Sequence, residues 1–295
     1  MPLLIFTDVD GTLIDFDTYE PGPVRGVLER CRHLGVPVMP VTSKSAVEII
    51  GLRARLDLTD PFAVENGAAI WVPGSSSVAA AAAELGEERG FTVDAPEGFL
   101  RVIPGADRAD LVAALERIGA GAGFDLHGLQ GMDVEEVAER TGLSPVAAAS
   151  AADREFSEPF LVFRDGRPLD ADERVELLPE MRERARREGL TCMLGGRFFH
   201  LLGKHTKGTA VRLLIDAWKR SGPGTQMPVS MALGDAHNDT AMFAEVDHPV
   251  LVARPDGTHA RGIEMPGLEL VGGIGPVGWS AAVGARLDAL APAGD

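Results

Sequence analysis

Leu3-Leu4-Ile5-Phe6-Thr7-Asp8-Val9-Asp10-Gly11-Thr12 is four apolar residues and a threonine running straight into two carboxylates. An apolar run without polar alternation marks a strand covered on both faces, as in a parallel sheet sandwiched by helices. Side chains two apart in extended chain share a side, so Asp8 and Asp10 face one space. In an open parallel sheet that space is the crevice beyond the carboxyl ends of the strands, where ligands bind. Two carboxylates so placed repel unless a proton or a cation lies between them. Magnesium suits them, because it is held by one or two carboxylates, water and substrate phosphate. Gly11 lets the backbone approach a phosphate, and Thr12 adds a hydroxyl.

Working outward, Pro23–Leu34 spaces Val24, Val27, Leu28, Cys31 and Leu34 for one helical face, and Gly35 ends it. Val36–Val41 reads as a second buried strand and Ala46–Leu56 as a second helix. Phe62–Val64 and Ala68–Val72 read as short strands around a Glu65-Asn66-Gly67 turn. This alternation predicts an open α/β sheet. The rhythm breaks near Pro73-Gly74-Ser75-Ser76-Ser77. Beyond it, strands are expected at Leu100–Ile103, Asp125–Gln130, Phe160–Phe163 and Thr191–Leu194, with helices at Asp107–Ile118, Val134–Arg140 and Glu173–Glu188. The alternation then resumes with a helix at Lys207–Arg220, a strand at Val229–Leu233, a helix at Asp239–Val246 and a last strand at Val250–Ala253; Ala291–Asp295 is expected to fray. The fold expected is a doubly wound, mostly parallel, Rossmann-like core (residues 1–85 and 196–295) with an inserted α/β domain at residues 86–195.

The chain has 295 residues, 45% of them hydrophobic, enough for two domains with their own cores. Its 44 acidic residues against 28 basic ones give a formal charge of −16, which argues against a nucleic-acid partner. A small anionic substrate then requires a local reversal of sign, by a divalent cation and a few lysines. With only Cys31 and Cys192 no disulfide framework is expected, and a reducing cytoplasm is the natural compartment. The first residues lack a basic segment before their short apolar run, and Ala79–Ala83 is too short to span a bilayer, so neither a signal peptide nor a membrane partner is expected. Oligomeric state is not readable.

Three further segments fall where the crevice should be. Val38–Val41 leads into Thr42-Ser43-Lys44, where a hydroxyl can donate to a phosphoryl oxygen, and Ser43 or Ser45 can cap the next helix instead. Gly203-Lys204-His205-Thr206-Lys207-Gly208 opens a helix, and a lysine there can bring its charge onto a phosphate and Asp8. Gly234-Asp235-Ala236-His237-Asn238-Asp239 follows the Val229–Leu233 strand, with Asp235 at the crevice and Asp239 one turn along the same face.

At these residues the chain resembles the haloacid dehalogenase superfamily of phosphatases, through DVDGT at Asp8–Thr12, Thr42, Lys207 and GDAHND at Gly234–Asp239. The insertion looks like that superfamily's α/β cap. More narrowly, VTSKS, PFAVENGAAI, REFSEPF, GGRFFHLLG and GDAHNDTAM are similar to the mannosyl-3-phosphoglycerate phosphatase family. Many superfamily members carry Thr-Gly-Arg where this chain has Thr42-Ser43-Lys44, a departure that the narrower family shares.

The resemblance implies that Asp8 is a nucleophile forming an aspartyl-phosphate and that Asp10 is the general acid and base. It also implies magnesium held by Asp8, the Asp10 carbonyl and Asp235, with Asn238 and Asp239 orienting that shell. Thr42 and Lys207 would neutralise the phosphoryl oxygens, beside Gly11, Thr12 and Ser43. Arg154, Arg197, His200 and Lys44 are the expected partners of a glycosylated phosphoglycerate, with Glu65 and Asn66 at the core rim. The resemblance implies mannosyl-3-phosphoglycerate as substrate; the alternatives are another sugar phosphate such as glucosyl-3-phosphoglycerate, a phosphomutase, or a metal-binding regulatory module without turnover, which Asp8, Asp10, Lys207 and Asp235 together disfavour.

Overall fold

The structure is a computed structural model that describes residues 3–195, 197–221 and 227–290. It divides into two compact units, the first formed by residues 1–42, 53–103 and 206–295, the second by residues 43–52 and 104–205. No helix among the described residues is long and apolar enough to cross a membrane.

The first unit is built on five parallel strands in the order Glu269–Ile274, His248–Ala253, Val229–Gly234, Leu3–Thr7, Val38–Pro40. All five residues of Leu3–Thr7 are buried, as an apolar run without alternation requires. Leu4 and Phe6 join a core with Met39, Ala232, Leu251, Val211 and Leu214. From Leu3–Thr7 the chain goes first to the Val38–Pro40 side and later to the Val229–Gly234 side. The reversal of direction lies between the strands that end at Thr7 and Gly234, which are paired Thr7 with Leu233. That is the position at which a doubly wound sheet opens a binding crevice.

A second, antiparallel sheet in this unit runs Phe62–Val64, Ala69–Pro73, Phe99–Ile103, Thr92–Asp94. A single bridge between Val41 and Ala63 joins it to the parallel sheet. The boundary expected at residue 86 therefore needs correction. It falls inside the helix Ala79–Glu88, whose Ala81, Ala82 and Leu85 share the core of Val211 and Leu214. The Pro73–Ser77 segment turns the chain without ending the unit, because the strands beyond it pair back onto Ala69–Pro73. Val250–Ala253 is likewise not the last strand: Glu269–Ile274 and the helix Pro276–Leu290 follow. The helix expected over Asp239–Val246 is a 3₁₀ turn at His237–Asp239 and a short helix at Thr240–Phe243.

The second unit has an antiparallel sheet in the order Thr191–Leu194, Phe199–Leu202, Ser157–Arg164, Asp125–Gly128. The helices Arg108–Gly119 and Ala171–Arg187 contribute Leu111, Leu115, Ile118, Leu177 and Met181 to a core with Phe160, Val162, Phe199 and Leu201. Asp170 caps the longer helix reciprocally with Glu173. The helices Val134–Thr141 and Pro145–Ala152 close a smaller cluster around Leu129, Val137 and Ala148. Gly196 of the GGRFFHLLG segment and the tail Ala291–Asp295 lie outside the described residues.

Candidate active site

Asp8 is the first residue past its strand, and its N–H still bonds to Leu233 O at 2.8 Å, so the strand pairing itself fixes where the carboxylate starts. Gly11 N bonds to Ile14 O, and Leu13 N and Ile14 N both reach Val9 O, folding Val9–Ile14 into a tight loop. Gly11 takes φ +72° there, a left-handed value that glycine adopts without strain. Thr12 is fully buried, and its Oγ1 has no hydrogen-bond partner among the described residues.

On the neighbouring strand end, Asp235 and Asp239 meet Asp8, with one carboxylate oxygen of each within 4.8 Å of the others. Asp239 Oδ2 accepts the N–H groups of Asp235 and Ala236 at 3.0 Å each. A Cβ added to Gly234 would lie 2.4 Å from Asp239 Cγ, so this close approach requires glycine. Asp239 thus folds the Gly234–Asp239 loop around its own carboxylate, which presents Asp235.

Lys207 opens the helix Lys207–Ser221 and bridges two of these acids, with Nζ 2.6 Å from Asp8 Oδ1 and 2.7 Å from Asp239 Oδ1. Its side chain is 0% exposed. Burial alone would pull its pKa down, but Asp239 and Asp8 outweigh that and hold the ammonium charged. Three buried carboxylates then face one ammonium. Burial, Asp8 and Asp239 push the Asp235 carboxyl up to about 8. Burial lifts Asp8 to about 6 against the pull of Lys207.

The donor set fits a divalent cation. Both Asp239 oxygens are engaged by Lys207 and backbone N–H groups, whereas no hydrogen bond is made to the Asp235 carboxylate among the described residues. A divalent charge beside Asp8 and Asp235 would balance the two surplus negative charges, and such hard oxygen ligands suit a metal of the magnesium class.

The surplus charge has a consequence for stability. With both carboxyls above the ordinary 3.8, the folded metal-free protein keeps protons that the unfolded chain releases between about pH 4 and pH 8. Stability of the chelated protein should fall as pH rises through that window. Thermal unfolding with EDTA should show a lower Tm at pH 8 than at pH 5.5, with magnesium raising Tm more at pH 8. Asp235→Asn should flatten the slope, and an unchanged slope in that variant would count against an uncompensated Asp235.

The other expected residues are placed as follows. Thr42 is fully buried one strand over, its N–H on Ala63 O and its carbonyl accepting Asn66 N–H at 2.8 Å. Glu65 and Asn66 are buried at 2% and 3% exposure, both with left-handed φ. Asn66 Oδ1 accepts from Asn238 Nδ2 at 3.3 Å, so this turn ties the Thr42 and Asp235 loops together. Asp10 is half-buried within the tight loop.

In the second unit, Lys44 pairs with Glu48 at 3.0 Å, and Ser45 N–H donates to Glu48 Oε2. Ser45, whose Oγ accepts the Glu48 N–H at 3.4 Å, is therefore the helix cap of the two serines considered. Arg154 donates to the carbonyls of Ala151 and Ser43 and to Ser157 Oγ. His200 is half-buried; burial and then Arg154 press its pKa down to about 3, so the imidazole is neutral. Arg197 is exposed and donates to Arg140 O in the last turn of Val134–Thr141. Cys31 and Cys192 are buried free thiols, pushed by burial up to about 12.

The pattern that defines the haloacid dehalogenase-like hydrolases matches residues 5–83. A glucosyl-3-phosphoglycerate/mannosyl-3-phosphoglycerate phosphatase of Methanococcoides burtonii is 33% identical over 288 residues, 96% of each chain. The protein of the same description in Persephonella marina is 31% identical over 95% of this chain and 96% of its own. The chain belongs to the glucosyl/mannosyl-3-phosphoglycerate phosphatase family of haloacid dehalogenase-like hydrolases. As a member of that family it is a phosphoric monoester hydrolase. A haloacid dehalogenase-like hydrolase from Bacteroides thetaiotaomicron shares the fold, with a TM-score of 0.63 at 13% identity over 99% of this chain and all of the other.

Some contributors to this candidate site carry no motif. Arg254, just past the strand His248–Ala253, donates Nε to Asp235 O at 3.2 Å. It stands at one more strand end, the signal that could have pointed to it. Trp279 Nε1 donates to Thr7 Oγ1 at 3.0 Å, a contact across 272 residues that no local pattern announces.

Proposed function

We propose that this phosphatase hydrolyses glucosyl- and mannosyl-3-phosphoglycerate through a covalent aspartyl-phosphate on Asp8. The observation that carries the chemistry is the buried Lys207 bridge between Asp8 and Asp239 beside an uncompensated Asp235. It keeps Asp8 ionised and oriented for attack while holding positive charge next to the transferring phosphoryl group.

In the first step an Asp8 oxygen bonds to phosphorus as the phosphorus–oxygen bond to the glycerate breaks, and Asp10 gives its proton to that oxygen. In the second, Asp10 takes a proton from water as the water oxygen bonds to phosphorus, and inorganic phosphate leaves as the Asp8 carboxylate is restored. Asp8, Asp235 and the Asp10 carbonyl would hold magnesium, with Asn238 and Asp239 behind them. Magnesium supplies charge neutralisation at the phosphoryl oxygens. Thr42, Ser43, Gly11 and Thr12 are assigned to the phosphate.

The substrate reading rests on two relatives similar across almost the whole chain, the second unit included. We assign to that unit, as the cap, selection of the leaving group. Arg154, Arg197 and Lys44 are the candidates for the glycerate carboxylate, and the neutral His200 is better suited to a sugar hydroxyl; Glu65 and Asn66 remain candidates on the core side. The two sugars differ by one hydroxyl's orientation, and a site selects strongly on a hydroxyl only where it buries a partner for it. Both esters should therefore be hydrolysed, each with a kcat/KM about tenfold or more above that of simple hexose phosphates, which lack the carboxylate.

The test is free-phosphate release from a panel of esters with magnesium and again after chelation, without any phosphorylated activator. Preference for hexose phosphates would overturn the substrate reading. A full rate after chelation would overturn the metal reading, and dependence on an activator would point to a mutase.

A further inference from the structure

The helix Pro276–Leu290 reaches the nucleophile from behind. Trp279 is fully buried on this helix, and its indole N–H donates to Thr7 Oγ1 at 3.0 Å. The same hydroxyl donates to the main-chain carbonyl of Asp8 at 2.6 Å. Thr7 has one proton to give and lone pairs to receive with, so the two bonds together fix the direction of the hydroxyl. The three groups form a directed chain from indole to hydroxyl to carbonyl, with Trp279 and Thr7 at 0% exposure and Asp8 at 6%.

The carbonyl of Asp8 and the N–H of Val9 belong to one planar peptide and point in opposite directions. Fixing the carbonyl toward Thr7 therefore fixes the Val9 N–H away from it. The indole, two hydrogen bonds from the Asp8 carbonyl, thus sets the plane of the peptide that carries the nucleophile. The segment before the helix also lies against this loop: a Cβ added to Gly275 would sit 3.2 Å from Gly11 O.

We propose that Trp279 is a positioning residue that acts through Thr7 on the peptide of Asp8, holding the nucleophilic carboxylate at its angle of attack. This rests on the assignment of Asp8 as nucleophile and is independent of which glycosyl ester is the substrate. A misplacement of about 1 Å can cost about 10²-fold in rate, and the smaller displacement that follows the loss of one positioning hydrogen bond should cost about tenfold. The effect falls on kcat, because the relay touches no substrate group.

The experiment uses the full-length chain with magnesium and p-nitrophenyl phosphate as the probe, so that the outcome does not depend on sugar recognition. Trp279→Phe removes the indole donor and keeps an aromatic ring. Thr7→Val removes the hydroxyl at nearly constant shape. Each should lower kcat about tenfold with KM within twofold, and the double variant should also lose about tenfold instead of a hundredfold, because both act through one chain. Thr7→Ser should recover most of the activity that Thr7→Val loses. Thermal unfolding records the packing cost separately: Trp279→Phe lowers Tm through its cavity and Thr7→Val by leaving the buried indole N–H without its acceptor, whereas Thr7→Ser keeps that acceptor and should hold both Tm and kcat near those of the unmodified chain.

Multiplicative losses in the double variant would overturn the proposal. So would Thr7→Val turning over within twofold of the unmodified chain, or a serine variant no better than the valine one. If Trp279→Phe does not fold, the comparison of Thr7→Val with Thr7→Ser decides alone. Failure of the nucleophile assignment shows separately, as activity that survives Asp8→Asn.

Discussion

Asp8→Asn should fold, bind metal more weakly and release phosphate at a rate about 10⁴-fold or more below that of the unmodified chain. The amide is close in shape to the carboxylate, so the loop Val9–Ile14 and the strand pairing of Thr7 with Leu233 have no reason to move. Lys207 keeps Asp239 at 2.7 Å and can still donate to the amide oxygen. Stability should therefore change little. It should rise at pH 8, where the buried Asp8 and Asp235 carboxylates repel in the metal-free protein. What the variant lacks is a charged nucleophilic oxygen, because an amide oxygen does not form a stable acyl phosphate. Free phosphate measured over hours with magnesium and p-nitrophenyl phosphate checks this, with circular dichroism to establish that the variant is folded. Turnover within a hundredfold of the unmodified chain would sink the covalent route and leave Asp10 or a metal-activated water as the attacking group.

The part of the fold that was readable from sequence is the part where burial is two-sided. Leu3–Phe6 has no polar residue and Val229–Gly234 only Ser230, as nearly continuous burial of the two strands allows, and their strand identity follows from that run. Glu269–Ile274 was not readable, because its residues are exposed or half-buried, it carries Gly272 and Gly273, and its pairing slips at Val252 and Ala253. The helices Ala79–Glu88 and Pro276–Leu290 bury largely alanine, glycine and a few larger residues, so they lack the stripe of bulky side chains by which a helix is recognised. The unit boundary was misplaced for a related reason. Pro73-Gly74-Ser75 is a turn signal, and a turn signal states that the chain changes direction, not that a core ends.

The candidate site divides the same way. Asp8, Asp235 and Lys207 stand at strand or helix ends in strings whose residue types have one strong chemical use. The work of Asp239 was legible from its spacing only as proximity, and from the resemblance only as support for a metal shell. That it folds its own loop through two backbone N–H groups, and takes the second hydrogen bond of Lys207, depends on a 3₁₀ turn in place of the expected α-helical one. Asn66 reads as a turn residue and is one, but its bond to Asn238 joins loops 172 residues apart. Long-range bonds of this kind, Trp279 to Thr7 among them, are set by tertiary packing and have no local sequence correlate.

Lys207→Met should be the most destabilising single change in the site as well as an inactivating one. Methionine keeps an unbranched chain of similar length, so the loss is of charge and not of volume. It leaves Asp8 and Asp239, which Lys207 contacts at 2.6 and 2.7 Å, buried without their counter-charge. Removing one partner of a buried pair costs about 3–5 kcal/mol, because the desolvation of the survivor is no longer compensated. The penalty has a pH signature of determinate sign. Without Lys207 the folded-state pKa of Asp8, already lifted by burial to about 6, rises further above the ordinary carboxyl range, so the folded state can relieve the strain only by binding protons. Destabilisation should be largest at pH 8 and shrink toward pH 5. Magnesium should restore part of it at pH 8 by returning positive charge beside Asp8 and Asp235, without restoring turnover. Urea unfolding at pH 5, 6.5 and 8, each with EDTA and with magnesium, measures this directly. A pH-independent loss would mean that Lys207 serves mainly as packing, and an unchanged midpoint at pH 8 would mean that Lys207 compensates no buried charge in the folded enzyme.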